Sequence, residues 1–201
     1  MDPAFWNERY ADDDFFYGTQ PNAFIAGHAA LIPPGPVLGL AEGEGRNSVF
    51  LATRGHAVTA VDQSPVGLAK ARRLAAARGV PLMTVVADLA DYAIAPGAWA
   101  GIIATFAHLP PSLRRDVHRR VSEGLRPGGV FLLEAYTSDQ VRHRTGGPVS
   151  QPGLLMKLAD LRTEFPGLEL LIARELERDF IDEPHHLGIG AVVQIAARRP
   201  A

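Results

Sequence analysis

The stretch Val37-Leu38-Gly39-Leu40-Ala41-Glu42-Gly43-Glu44-Gly45-Arg46-Asn47 runs from apolar residues into small ones and carboxylates, and a helical pattern follows it. Glycines at a strand-to-helix junction let the backbone approach a ligand, and the first amides of the helix point toward it. The nicotinamide version of such a turn requires G-x-G-x-x-G/A, whereas Ser48 stands at the third glycine position. Glu42 and Glu44 repel a pyrophosphate and tolerate a cation.

Outward from this turn, apolar runs alternate with helix-period segments, the pattern of a parallel sheet covered by helices on both faces. PVLGLA and HAVTAVD read as the first two strands, with a short helix from Asn47 to Arg54 between them. Ser64 before Pro65 starts a helix that Gly79 closes. PLMTVVAD and WAGIIATFA read as strands three and four, and Pro110-Pro111 lead into a helix whose Leu113, Val117 and Val121 share a face. The turn LRPGG precedes the apolar strand VFLLEAY. After a loop rich in Gly, Pro and charge, LLMKLADLRTEF reads as a helix, and LELLIARELERDF and HLGIGAVVQIAARR as a final antiparallel pair.

Two aspartates end strands. Asp62 follows Gly43 by nineteen positions, where a carboxylate can accept both hydroxyls of an adenosine ribose. Asp88 ends the third strand and faces the same crevice, within reach of an adenine amine. Aspartates in such places also cap helices.

With 201 residues, the chain fits one α/β domain of ordinary size. A formal charge of −2 creates no field for nucleic acid or anionic membranes, and long basic patches interleaved with aromatics are absent. The absence of cysteine excludes disulfides, thiolate metal sites and a cysteine nucleophile. MDPAFWNERYADDDFF lacks the basic and apolar regions of a secretory signal, and no run reaches the length of a membrane span, which places the protein in the cytoplasm.

LGLAEGEGRNSVFLATRGHAVTAVDQSPVGLAKARRLA resembles the cofactor-binding half of class I S-adenosylmethionine-dependent methyltransferases. It is most similar to the small bacterial branch of tellurite-resistance and thiopurine methyltransferases. FWNERY with YGTQPNAF, FAHLP, LRPGG and the closing H-x-G-x-G-A-V-V-Q strand extend the resemblance over nearly the whole chain. It implies a Rossmann-like three-layer sandwich with a mostly parallel seven-stranded sheet and an antiparallel C-terminal strand. Residues 1–32 would be an aromatic lid, 36–136 the cofactor-binding core, and 137–201 the acceptor-side loop, helix and strand pair of a single domain.

The resemblance further implies that Gly43 and Gly45 bracket the methionine portion of S-adenosylmethionine, and that Asp62 holds the ribose. Gln63 flanks the adenine, Asp88 and Leu89 close around it, and Phe106 lies near the sulfonium. Ala41 and Asn47 complete the turn's contacts. S-adenosylhomocysteine would be the product. Gly39 stands where the family has an acidic residue and Ala41 where it has its first glycine, leaving Glu42 or Glu44 to receive the ligand's ammonium.

Phe5, Trp6, Tyr10, Phe15, Phe16 and Tyr17 are six of the chain's fifteen Phe, Tyr and Trp residues. Trp6 and Tyr17 are candidates to lie on the cofactor as part of a lid, and a simple docked helix is the alternative. His108 is the candidate general base. Arg46, Arg142, His185 and His186 are candidates for contact with a small acceptor, with Arg144 beside them in the loop. Adjacent histidines on an extended chain point apart, so no metal site is assigned. A nicotinamide oxidoreductase and a non-catalytic nucleotide-binding module are the other readings of the same turn.

Overall fold

The computed structural model describes residues 2–143, 145–180 and 188–201. Its centre is a seven-stranded sheet in the order β3-β2-β1-β4-β5-β7-β6. The strands are β1 (Pro36–Leu40), β2 (Ala57–Asp62), β3 (Met83–Val86), β4 (Trp99–Thr105), β5 (Leu125–Tyr136), β6 (Glu169–Asp179) and β7 (Ile189–Arg198). β1 to β5 are parallel, and β7 runs antiparallel to both β5 and β6. The expected mostly parallel sheet with an antiparallel end is therefore present.

The period of two along each strand sorts side chains onto two faces. Leu38, Leu40, Ile102, Phe131 and Leu133 pack with Val117 and Val121 of helix α5 (Pro111–Gly124). On the opposite face, Val37, Val58, Ile103 and Leu132 pack with Phe24 and Ile25 of α2 (Ala23–His28) and Leu51 of α3 (Arg46–Thr53). Helix α4 (Pro65–Ala77) lies against α3 through Leu74, Ala75 and Val49. Ser64 caps it by accepting the Gly67 amide at 3.0 Å. Helix α1 (Pro3–Arg9) opens the chain, capped by Asp2.

Two segments differ from the sequence reading. LRPGG is not a separate turn, because its residues form the start of β5, where the register shifts opposite Trp99–Gly101. LLMKLADLRTEF is not one helix: a 3-10 turn at Pro152–Leu154 is followed by the single turn α6 (Leu158–Leu161). Leu154, Leu155 and Met156 are all buried, which one face of a helix does not permit. Met156 instead pairs with Thr137 and donates its amide to the Tyr136 carbonyl at 2.8 Å.

The strand order reverses between β1 and β4, so a crevice opens beyond their carboxyl ends.

Candidate functional site

A cavity of about 290 Å³ lies in this crevice, near the lower size range of small-molecule pockets. Every parallel strand from β1 to β4 delivers residues to it: Ala41 and Glu42 after β1, Asp62 and Gln63 at the end of β2, Asp88 and Leu89 after β3, and Thr105 to His108 at and beyond the end of β4. Trp6, Tyr10 and Tyr17 come from the opening segment, and Arg46 and Asn47 from the start of α3. Fourteen of the residues singled out in the sequence, Tyr10, Glu42 and Glu44 among them, thus line one cavity.

Asp62 is held by backbone. Its Oδ2 accepts the Gly43 amide at 2.7 Å and its Oδ1 the Ser64 amide at 2.8 Å. Burial raises its pKa, while the amides of Ser64, Gly43 and Gln63 oppose that shift. Since α4 is capped by Ser64, capping does not explain Asp62. A carboxylate has about four lone-pair sites, so both oxygens keep capacity toward the cavity. Such a carboxylate fits a pair of vicinal hydroxyls. Asp88 is exposed, accepts the Ala90 amide at 2.8 Å, and also lines the cavity.

The glycines act from behind. Gly43 and Gly45 do not line the cavity but have φ of 51° and 80°. A Cβ on Gly45 would lie 2.5 Å from the Ala71 Cβ, and one on Gly43 2.5 Å from the Tyr10 hydroxyl oxygen. They permit, respectively, the close approach of α3 to α4 and the seating of Tyr10. Ala41 and Phe106 hold left-handed backbone at φ 54° and 52° without being glycine. Left-handed backbone at two bulkier residues facing one cavity is strain concentrated at a site.

Asn47 has a different task from the contact expected of it. Its Oδ1 accepts the Asn22 amide at 2.8 Å and its Nδ2 donates to Thr105 Oγ1 at 2.9 Å, so its amide bridges two segments of the wall. Asn22 in turn donates from Nδ2 to Glu134 Oε1 at 2.7 Å. Glu134, fully buried in β5, also accepts from Arg178 Nη2 at 2.7 Å and Gln194 Nε2 at 2.6 Å. One carboxylate thereby joins the opening segment to β6 and β7.

The opening segment is fastened to the glycine turn by Glu44. Its Oε1 accepts the Phe16 amide at 3.1 Å and its Oε2 the Tyr17 amide at 3.3 Å, while Lys70 of α4 lies 2.5 Å away. Lys70 also donates to the Asp12 carbonyl at 2.8 Å and the Asp14 carbonyl at 2.5 Å. Trp6 stacks on Tyr10 at 5.8 Å between centroids, and Arg9 lies over Phe5 and Phe16. Burial pushes the Tyr10 hydroxyl well above its ordinary range, with Asp62 adding to the effect.

On the other side, the Phe106 ring packs on Tyr136 at 4.6 Å and Phe180 at 5.9 Å, and His108 stacks nearly parallel to Tyr136 at 6.2 Å between centroids. Arg46 Nη1 donates to the Tyr17 carbonyl at 3.3 Å. Arg142 does not line the cavity; it is exposed and pairs with Asp139 at 3.4 Å. His185, His186 and Arg144 lie outside the described residues.

The sequence reading did not assign Lys70, Asn22, Thr105, Glu134 or Arg178 to the site, and it gave Tyr10 no role beyond the aromatic opening. Their partners are 25 to 112 residues distant in the chain, and no local spacing announces them.

These features define a Rossmann-like α/β protein with its ligand crevice at the switch point of the sheet. Within that class, residues 37–129 match the family model described as a methyltransferase domain. A carboxy-S-adenosyl-L-methionine synthase of Geobacter metallireducens is 38% identical over 79 residues, covering 38% of this chain and 32% of that protein. A 2-heptyl-1-hydroxyquinolin-4(1H)-one methyltransferase of Mycobacteroides abscessus is 29% identical over 125 residues, covering 60% of this chain and 55% of that protein. The chain thus spans about a third and about half of the length of these two curated relatives. TehB from Haemophilus influenzae shares the fold, with a TM-score of 0.72 at 20% identity over 98% of this chain and 66% of that one. Among the described residues no helix is long and apolar enough to cross a membrane.

Proposed function

We propose that the protein is an S-adenosylmethionine-dependent methyltransferase acting on a small-molecule nucleophile, with no nucleic-acid or membrane partner, in the cytoplasm. The observation that carries this reading is the single cavity joining the backbone-held carboxylate of Asp62 to Asp88, Phe106 and His108 beneath an aromatic lid. S-adenosylmethionine, when bound, supplies a methyl group activated by its sulfonium. The chain's residues supply alignment.

Asp62 accepts the ribose hydroxyls, and Gln63, Asp88 and Leu89 enclose the adenine. Phe106 directs its ring toward the sulfonium end, with its strained backbone fixed by a 2.8 Å bond from its amide to the Glu134 carbonyl. Trp6, Tyr10 and Tyr17 exclude water. Holding the reactants at near-attack distance accounts for about 7 to 11 kcal/mol in well-oriented systems. When held by these residues, the donor would supply its methyl carbon to the acceptor's lone pair, the electron pair of the broken carbon–sulfur bond remaining on sulfur. An acceptor that is already anionic or soft, such as a thiolate or metalloid oxyanion, requires no base. For a protonated acceptor, His108 takes the proton. In this division residues 1–32 form the lid, 36–136 the donor site and 137–201 the acceptor side.

The test is calorimetric titration with S-adenosylmethionine, S-adenosylhomocysteine and NAD separately, followed by an acceptor screen. Saturable binding of the first two and none of NAD supports the reading. Binding of NAD alone supports the oxidoreductase, and donor binding without turnover on any acceptor class the non-catalytic module.

A further inference from the structure

Gly39 and Glu42 occupy one space. A Cβ built on Gly39 would lie 2.4 Å from Glu42 Cγ, 2.6 Å from Glu42 Cδ and 2.6 Å from Ser48 Oγ, so no side chain fits at 39 while Glu42 folds back over it. The left-handed backbone of Ala41 precedes this fold-back, and the Glu42 amide is fixed on the Val61 carbonyl at 3.1 Å. Ser48 then holds one oxygen: Oε2 accepts its amide at 2.9 Å and its hydroxyl at 2.6 Å. The other oxygen, Oε1, is buried with no hydrogen-bond partner, and Glu42 lines the cavity.

A buried carboxylate oxygen with no partner is costly unless a ligand completes it. Glu44 also lines the cavity, but the buried Lys70 ammonium already neutralises its charge and each of its oxygens holds a backbone amide, so Glu42 is the acid with an empty oxygen. We infer that Glu42 is the receptor for the ammonium group of the donor's amino-acid portion, so that the acid has moved three positions along the chain from 39 while returning to the space beside 39. Ser48, which breaks the nicotinamide pattern, is the residue that orients it. This inference rests on the methyl-donor reading above and names the donor atom that one residue receives.

Two probes separate the inference from that reading. S-adenosylhomocysteine carries the ammonium group, and 5′-methylthioadenosine has the same nucleoside without the amino acid. For Glu42→Gln, which keeps shape and removes charge, S-adenosylhomocysteine affinity should fall roughly 10- to 100-fold, the range of a charge-assisted hydrogen bond, while 5′-methylthioadenosine binding stays within about twofold. Equal loss for both probes, or no loss for either, overturns the inference and leaves the reading intact. Failure of the unaltered protein to bind either probe overturns the reading and the inference together.

A second measurement needs no variant. Glu42 faces Asp62 at the end of β2, which raises its pKa, and Arg46 at the start of α3, which lowers it, with burial the largest cause of a value near 7. The ratio of the two probes' affinities cancels the shared contribution of Asp62. That ratio should rise about tenfold in favour of S-adenosylhomocysteine between pH 6 and pH 8 as Glu42 ionises. A flat ratio overturns the inference.

Discussion

Lys70 Nζ lies 2.5 Å from Glu44 Oε1, with both side chains more than nine-tenths buried, and the same ammonium reaches the carbonyls of Asp12 and Asp14. A carboxylate in the glycine turn and a lysine in α4 together hold the opening segment in place. Removing one member of a buried pair costs about 3 to 5 kcal/mol, because the other charge is left uncompensated. Lys70→Met should therefore lower the unfolding free energy, read by urea titration, by that much. It should also raise amide exchange at Phe16 and Tyr17, which hydrogen-exchange mass spectrometry reads directly. Exchange unchanged in that segment would show that other contacts hold it.

Asp62 holds two backbone amides and, on the proposed function, the ribose as well. Asp62→Ala strips the acceptor from the Gly43 and Ser64 amides, so stability should fall by about 1 to 3 kcal/mol. Donor affinity should fall by roughly 1.5 to 3 kcal/mol, the scale of hydrogen bonds to a charged group. Calorimetry on the folded fraction separates the two losses. An Asp62→Ala protein that binds donor normally would remove Asp62 from the ribose.

Glu42 sets a pH dependence of stability in the ligand-free protein. Burial, its largest cause, raises the pKa from the ordinary 4.5 to about 7, with Ser48's hydrogen bonds and Arg46 opposing and Asp62 assisting. The folded state then holds a proton that the unfolded state has released. The stabilisation is fully present below about pH 4.5 and is lost as pH rises through about 7, worth on the order of 3 kcal/mol. Urea titrations of the protein and Glu42→Gln at pH 5 and pH 8 should show a smaller pH-dependent loss in the variant. Equal losses would place the titration elsewhere.

Ala41 holds φ 54° where glycine carries no Cβ penalty. The left-handed conformation costs about 1 to 2 kcal/mol for a residue with a Cβ, and glycine's extra chain entropy returns about 0.5 to 1 kcal/mol of that. Ala41→Gly should therefore raise stability by up to about 1.5 kcal/mol in denaturant unfolding. A clear loss would mean that the Ala41 methyl packs better than its backbone strain suggests.

Arg142 provides the contrast. Its ion pair with Asp139 is exposed, and such pairs contribute about 0 to 1 kcal/mol. Arg142→Ala should leave both the unfolding midpoint and donor affinity unchanged within error.

The sheet was legible because strand periodicity, the Ser64-Pro65 start and the glycine stops are local signals, and Asp62 was legible from its distance to Gly43. The helix expected over LLMKLADLRTEF failed where local pattern meets tertiary demand: Leu154, Leu155 and Met156 are buried together, and Met156 is drawn to Thr137. Glu44 was legible as an acid in the turn but not as a fastener, because Phe16, Tyr17 and Lys70 come to it from 26 to 28 positions away. Glu134 looked like a polar interruption in the apolar run VFLLEAY. Only the packed sheet brings Asn22, Arg178 and Gln194 to it.

That last convergence governs the order of events as the chain leaves the ribosome. Asn22 emerges more than a hundred residues before Glu134, and Arg178 and Gln194 follow later still. β7 inserts between β5 and β6, so the two central donors to Glu134 arrive only with the final strands. Closing loops of this length slows folding. Asn22 thus gains its Glu134 partner only once β5 has formed, whereas the aromatic residues before it meet theirs, Glu44 and Lys70, much nearer in the chain.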